Sequence, residues 1–184
     1  VSEAPRPGSK AAERRLAERT AIRWLWLSVV VVLLDQVTKL YIVAHFELYE
    51  RLEVLPLLDI TRLHNTGAAF SFLAGAGGWQ RWFFIVLGLV VSGLVVAWLA
   101  RLPLKGRGWL AAALSLVVGG AIGNVIDRAW HGYVIDFISV HHGEWYFPAF
   151  NVADSAITVG AAILLIESLL GDDGRIPSGR EHES

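Results

Sequence analysis

The chain has no cysteine among its 184 residues, which removes disulfides, thiolate metal sites and cysteine nucleophiles from consideration. Basic residues are scarce as well. With 16 Lys+Arg against 17 Asp+Glu the net charge is −1, and no basic face is offered to a nucleic acid. Motifs that announce a chemistry on their own are also missing. There is no HExxH, and His131, His141 and His142 are not at metal-ligand spacing. Ser71, Ser139 and Ser155 lack a strained Gly-x-Ser-x-Gly setting, and "GGAIGN" lacks the lysine of a phosphate loop. What the chain does have is apolar surface: 54% hydrophobic residues, with eight Trp and eight Phe of the kind that populate a bilayer and its interfaces.

Four runs reach the roughly 20 apolar residues needed to span a hydrocarbon core of about 30 Å. They cover about 22–45, 80–100, 109–130 and 149–170. The first is too long for a secretory signal peptide, follows a charged arm and has no small-residue cleavage site, so it reads as a retained helix. Lys and Arg placement sets the orientation. Arg6, Lys10, Arg14, Arg15, Arg19 and Arg23 precede or open the first run, and Arg101, Lys105 and Arg107 crowd the loop between the second and third. The stretch 131–148 has neither Lys nor Arg. Both termini are therefore expected in the cytoplasm. Residues 1–21 form a cytoplasmic arm, 22–170 a four-helix membrane domain with outer loops at about 46–79 and 131–148, and 171–184 a disordered tail.

That topology assigns a depth to every polar residue. Asp35 lies 13 residues beyond Ile22, roughly 20 Å along the axis at about 1.5 Å per residue. Lys39 follows one turn later on the same face. Asn124, Asp127 and Arg128 fall near the outer end of the third helix, and Asn151 and Asp154 in the first turn of the fourth. Asp136 and "HNTGAAFS" (64–71) belong to the outer loops. All of these converge on the outer boundary of the bilayer, where ionisable groups mark function by default. Plain structural roles account for several: ion pairs Asp35–Lys39 and Asp127–Arg128, an N-cap at Asn151, and close helix packing at Gly119, Gly120 and Gly123.

Those roles leave carboxylates over. Asp154 and Asp136 have no cation nearby in sequence. Two acids at one depth form a dyad that shares a proton, because like charges a few ångströms apart do not both ionise. Such a dyad suits peptide hydrolysis, with one carboxylate activating water and the other assisting the carbonyl and the leaving nitrogen. Asp127 competes with Asp136 as the partner of Asp154. Asp127 has Arg128 beside it to hold it in an ion pair, whereas Asp136 sits among apolar neighbours, so the local chemistry favours Asp136.

The chain resembles the signal peptidase II family, the bacterial prolipoprotein signal peptidases. The resemblance runs through "DQVTK" (35–39), "NTGAAFS" (65–71), "GGAIGNVIDR" (119–128), "GYVIDF" (132–137) and "FNVADS" (150–155), in that order. It implies an all-α membrane core of four transmembrane helices, with a small extracytoplasmic β-cradle and a short periplasmic helix. It implies an aspartic endopeptidase of the inner membrane that cleaves diacylglyceryl-modified prolipoproteins just before the lipidated cysteine. Asp136 and Asp154 take the catalytic positions. Asp35, Lys39, Asn65, Gly67, Gly120, Asn124, Asp127, Arg128 and Asn151 take the positions that line or brace the site.

The remaining expectations follow from these readings. "RLEVLPLLDITRLHNTGAAF" alternates well enough for short strands, with Asp59 and Arg62 solvated. Trp145, Tyr146 and Phe147 form an interface belt. The reaction needs no metal or organic cofactor, and the partners are prolipoproteins and membrane lipid, with the protein a monomer. Two other classes compete. A proton-coupled transporter would spread ionisable groups through the full depth of the bilayer instead of gathering them at one boundary. A lipoprotein-binding scaffold would share the topology but gives no reason for two unpaired acids.

Overall fold

In a computed structural model, residues 20–67 and 77–170 are described. Ala68, Ala69, Phe70 and Ser71 of the "NTGAAFS" segment lie outside the described residues, as do most of the N-terminal arm and the tail.

Four helices carry the apolar runs. A 3-10 turn, Ala21–Trp24, leads into α1 (Leu25–His45); α2 is Trp79–Arg101, α3 Gly108–His131 and α4 Val152–Leu170. The shortest, α4, has 19 residues, which at about 1.5 Å per residue is about 28 Å, close to the thickness of the hydrocarbon core. All four are long and apolar enough to cross a membrane. Their outward faces are built for lipid: Val29, Leu33, Val37 and Leu40 of α1 and Val86, Leu89, Val90 and Leu94 of α2 are all more than half exposed.

The third helix is the hub, packing against each of the other three. Its interior positions are small, with Ala111, Ala112, Ala113, Gly119, Gly120 and Gly123 all buried. Small residues let helices approach closely where van der Waals packing, not water exclusion, drives association. A methyl group on Gly119 would stand 2.8 Å from Val31 Cβ, and one on Gly123 would stand 2.6 Å from Asp35 Oδ2. One on Gly120 would collide with the carbonyl oxygen of Ala153. At the opposite end, the Ala21 N–H donates to the Leu102 carbonyl (2.9 Å), tying the start of α1 to the α2–α3 turn.

Beyond the helix ends that carry the polar residues, the two longer connections fold into one antiparallel sheet. Its strands are β1 (Arg51–Leu55), β2 (Leu58–Asn65), β3 (Val134–His142) and β4 (Trp145–Tyr146), in the order β1-β2-β3-β4. The alternation in the first loop produced β1 and β2 as expected. In β2–β3 the register places Leu63 opposite Asp136 and Asn65 opposite Val134. The sheet thereby joins the α1–α2 connection to the α3–α4 connection. Gly132, at φ 86°, ends α3 in the left-handed conformation that glycine adopts without steric cost, and it starts the turn into β3.

Two details depart from expectation. The fourth helix begins at Val152, not near residue 149, because Phe150 is extended and pairs with β3: its N–H donates to Ile138 O (3.0 Å), and its carbonyl accepts from Phe137 and Ile138. Asp59 is buried, only 2% exposed, with Arg51 at 3.3 Å and His141 at 3.1 Å, so it is a cradle ion-pair residue and not a solvated one. Arg62 is half-buried and donates to the Phe46 carbonyl at 2.9 Å. No short helix occurs in the outer connections among the described residues.

Candidate active site

The start of α4 organises the site. Asn151 is its N-cap, with its side-chain carbonyl accepting the Asp154 N–H at 2.9 Å. The next free N–H, that of Ala153, is taken by Asp35 Oδ1 from α1 at 2.9 Å. Two of the unpaired donors at this helix end are thus satisfied from within the protein, as burial at membrane depth requires. Asp154 follows from the cap geometry: three residues after Asn151, it is placed on the first turn, facing α3.

Asp136 arrives from β3. Val134 to Phe137 are all buried, and Asp136 is 3% exposed. Its oxygens accept two amide hydrogen bonds, from Asn151 Nδ2 to Oδ1 (2.7 Å) and from Asn65 Nδ2 to Oδ2 (3.0 Å). Burial, reinforced by the nearby Asp154 charge, pushes its carboxyl from the usual 3.8 up to about 7, despite those two donors. Asp154 Oδ1 accepts from Asn124 Nδ2 at 2.7 Å. Both acids line an open groove of about 1060 Å³ that runs from the cradle, at Tyr49 and Tyr146, down to Thr158 and Val159 of α4. Among the described residues they are the only carboxylates that line it.

Beneath lies a second polar layer, sealed from the groove. Lys39 is 1% exposed and contacts Asp35 Oδ2 and Asp127 Oδ2, each at 2.8 Å. Asp127 also accepts from the Ile135 N–H (3.0 Å) and from Gln36 Nε2 (3.0 Å). Asp127 is held in an ion pair, as anticipated, but with a different cation. Adjacent residues on a helix point apart. Asp127 therefore turns to α1, while Arg128 donates to the Gly67 carbonyl (2.7 Å) and lies over the Phe84 ring (4.9 Å). The expected Asp127–Arg128 pair does not form; Asp35–Lys39 does.

The other positions singled out in the sequence also gather here. Asn65 Oδ1 accepts the Gly67 N–H at 2.9 Å, which fixes the loop at the groove edge. Gly120 serves the α3–α4 contact beside Ala153. Gln36 was not singled out in "DQVTK", yet it bridges Asp35 (3.1 Å) and Asp127 and reaches the Gly123 carbonyl (3.3 Å). His64, which opens "HNTGAAFS", lines the groove and stacks on Tyr133 at 3.8 Å. Burial, with Arg62 and His131 nearby, lowers its pKa and keeps the ring neutral. One ionisable group departs from the gathering at a single depth: Glu167 lies near the far end of α4.

Four spanning helices, a buried polar layer and an acid-lined groove beneath a small sheet define an integral membrane protein with the makings of a hydrolase. The family model described as signal peptidase (SPase) II matches residues 27–170. A lipoprotein signal peptidase of Pseudomonas paraeruginosa is 55% identical over 146 residues, covering 78% of this chain and 86% of that protein. One from Pseudoalteromonas translucida is 46% identical over 170 residues, covering 92% and 99%. A solved structure described as a bacterial membrane enzyme superposes with a TM-score of 0.71 at 32% identity, covering 88% of this chain and 94% of that one. A second superposes at 0.68 with 34% identity. The chain belongs to the signal peptidase II family and is a membrane peptidase.

Proposed function

We propose that this peptidase cleaves the signal peptide from diacylglyceryl-modified prolipoproteins, just before the lipidated cysteine, using Asp136 and Asp154 as a proton-sharing dyad. The observation that carries the assignment is the division of the acids into two layers. Asp35 and Asp127 are bound to Lys39 below, while Asp136 and Asp154 line the groove. A carboxylate held by a buried ammonium is a structural ion, and one held only by amides at a groove surface is free to exchange protons.

In the reaction one carboxylate takes a proton from water as the new C–O bond forms, and the other, protonated, donates to the developing oxyanion. The first then passes its proton to the amide nitrogen as the C–N bond breaks, while the carbonyl re-forms and returns a proton to the second. The dyad ends with the one proton it began with. A signal helix enters from the bilayer along the α4 end of the groove, and the mature part leaves over the cradle. This reading places the protein in the bacterial inner membrane as a monomer, with both termini cytoplasmic and the site at the outer leaflet, where the lipid on the cysteine stays among membrane lipids.

The full chain in detergent or liposomes, given a lipobox peptide with and without the diacylglyceryl group, tests the reading. Mass spectrometry of the products is expected to show a single cut before the cysteine of the modified peptide only. Equal cutting of both peptides, or a cut elsewhere, would refute it.

A further inference from the structure

We infer that a slot between the sheet-side end of α1 and the sheet itself seats one acyl chain of a zwitterionic membrane phospholipid. This lipid site is separate from the acid-lined groove and does not depend on the peptidase chemistry proposed for it.

The slot has a volume of about 470 Å³. Val37, Thr38, Tyr41 and Ile42 form one wall and Phe46 closes the end, so it follows α1 from residue 37 to residue 46, about 13 Å at about 1.5 Å per residue. Leu52 of β1, Ile60 of β2 and Phe137 of β3 form the other wall. Leu52 and Ile60 are cross-strand partners. Side chains alternate along a strand, so theirs is the face of the sheet turned away from Arg51 and Asp59. In the same way Phe137 lines the slot while its neighbour Asp136 lines the groove.

The slot opens where the protein already meets lipid. Val37, Tyr41 and Leu52 are each more than half exposed, and Val37 continues the outward stripe of Leu33 and Leu40 on α1. Inside, it offers almost nothing to a polar ligand. The Thr38 hydroxyl is turned back on its own helix, 2.7 Å from the Leu34 carbonyl oxygen, and the Tyr41 ring stacks on His45 at 4.1 Å. A helix is about 10–12 Å across, so about one helical turn would fill this volume, and no partner helix is seated in it. An acyl chain is narrow enough to enter. It is gripped there from two sides, by helix and by sheet, whereas the open helix faces touch lipid from one side only.

The charges at the Phe46 end of the slot select the headgroup. Arg62 donates through Nη1 to the carbonyls of Val43 (3.3 Å) and Phe46 (2.9 Å), which fixes its guanidinium over the last turn of α1. Glu47 and Glu50, both exposed, follow Phe46 in the chain, and the Glu50 carbonyl accepts the Arg62 N–H at 3.3 Å. The acids are thus folded beside the arginine. A lipid phosphate finds Arg62 there, and a headgroup ammonium finds the two carboxylates. A headgroup with only negative charge keeps the first attraction and is repelled by both acids.

The test titrates the delipidated full chain in detergent with phosphatidylethanolamine or phosphatidylglycerol of matched chains, read by native mass spectrometry and by melting temperature. Wild type is expected to retain one phosphatidylethanolamine about tenfold more tightly than phosphatidylglycerol, and to melt higher in its presence. Leu52→Trp fills the slot from its exposed wall and denies burial to about two methylenes, so retention should fall about tenfold. Leu94→Trp, on the lipid-facing side of α2, should change nothing. Glu47→Gln combined with Glu50→Gln should bring the two lipids to within about twofold of each other. Equal retention of both lipids by wild type would overturn the inference. So would undiminished retention in Leu52→Trp, an equal loss in Leu94→Trp, or a preference that survives the double glutamine variant. If Leu52→Trp does not fold, Val37→Trp on the helix wall takes its place under the same criteria. Displacement of the retained lipid by a diacylglyceryl-modified lipobox peptide would give the slot to substrate and overturn the inference as well.

Discussion

Asp136 receives two amide hydrogen bonds and is still costly to ionise, because burial and Asp154 outweigh them. The consequence for stability has a definite sign. A carboxyl raised from 3.8 to about 7 by folding leaves the native state holding a proton that the unfolded chain has lost, so native stability falls as pH rises across that window and levels off above it. At about 1.36 kcal/mol per unit, the full cost is on the order of 4 kcal/mol. Asp136→Asn removes this dependence. Its melting temperature relative to wild type should rise between pH 4 and about 7 and then stay level, as read by thermal unfolding in detergent. For activity, the proposed dyad needs its shared proton, so kcat/KM should decline on the alkaline side through an apparent value near 7 that belongs to the pair. Asp127→Asn is a different case. It weakens a buried ion pair whose outright loss costs about 3–5 kcal/mol, so it should lower the melting temperature while cleavage persists.

At the scale of elements, the contact between α3 and α4 is what sets Asn124 against Asp154. Gly120→Ala would drive a methyl into the Ala153 carbonyl, next to Asp154, and neither atom is at the end of a flexible side chain. The helices must separate, so both cleavage rate and melting temperature should fall. Gly93→Ala on α2 meets nothing within 4 Å and should leave both unchanged. The helices were legible because lipid demands long apolar runs, and the depth of each polar residue followed from their length. The strands were only half legible. β1 and β2 showed alternation, but Val134–Phe137 is buried throughout, so no period of two marks β3. The partner of Asp127 was not legible, since Lys39 is 88 positions away along the chain and Arg128 is adjacent. Asn151 was legible as a cap because its place before an apolar run states that role locally.

On the scale of the whole molecule, the proposed function requires both termini on the cytoplasmic side and the groove at the outer leaflet. The absence of cysteine makes this directly measurable, because a single introduced thiol is the only one that reacts. Glu144→Cys, in the turn between β3 and β4, should be labelled in intact cells by a membrane-impermeant maleimide, and Lys105→Cys, between α2 and α3, only after the membrane is opened. The reverse pattern would invert the topology and place the groove on the wrong side for exported substrates. The fold's purpose in this account is to bring one acid from the cradle and one from a helix cap to the same groove. The most direct measurement of that claim is cleavage of the lipid-modified peptide by three folded variants side by side. Asp136→Asn and Asp154→Asn are predicted to leave no measurable cleavage, and Asp127→Asn to retain it. Cleavage by either of the first two, or its loss only in the third, would contradict the account.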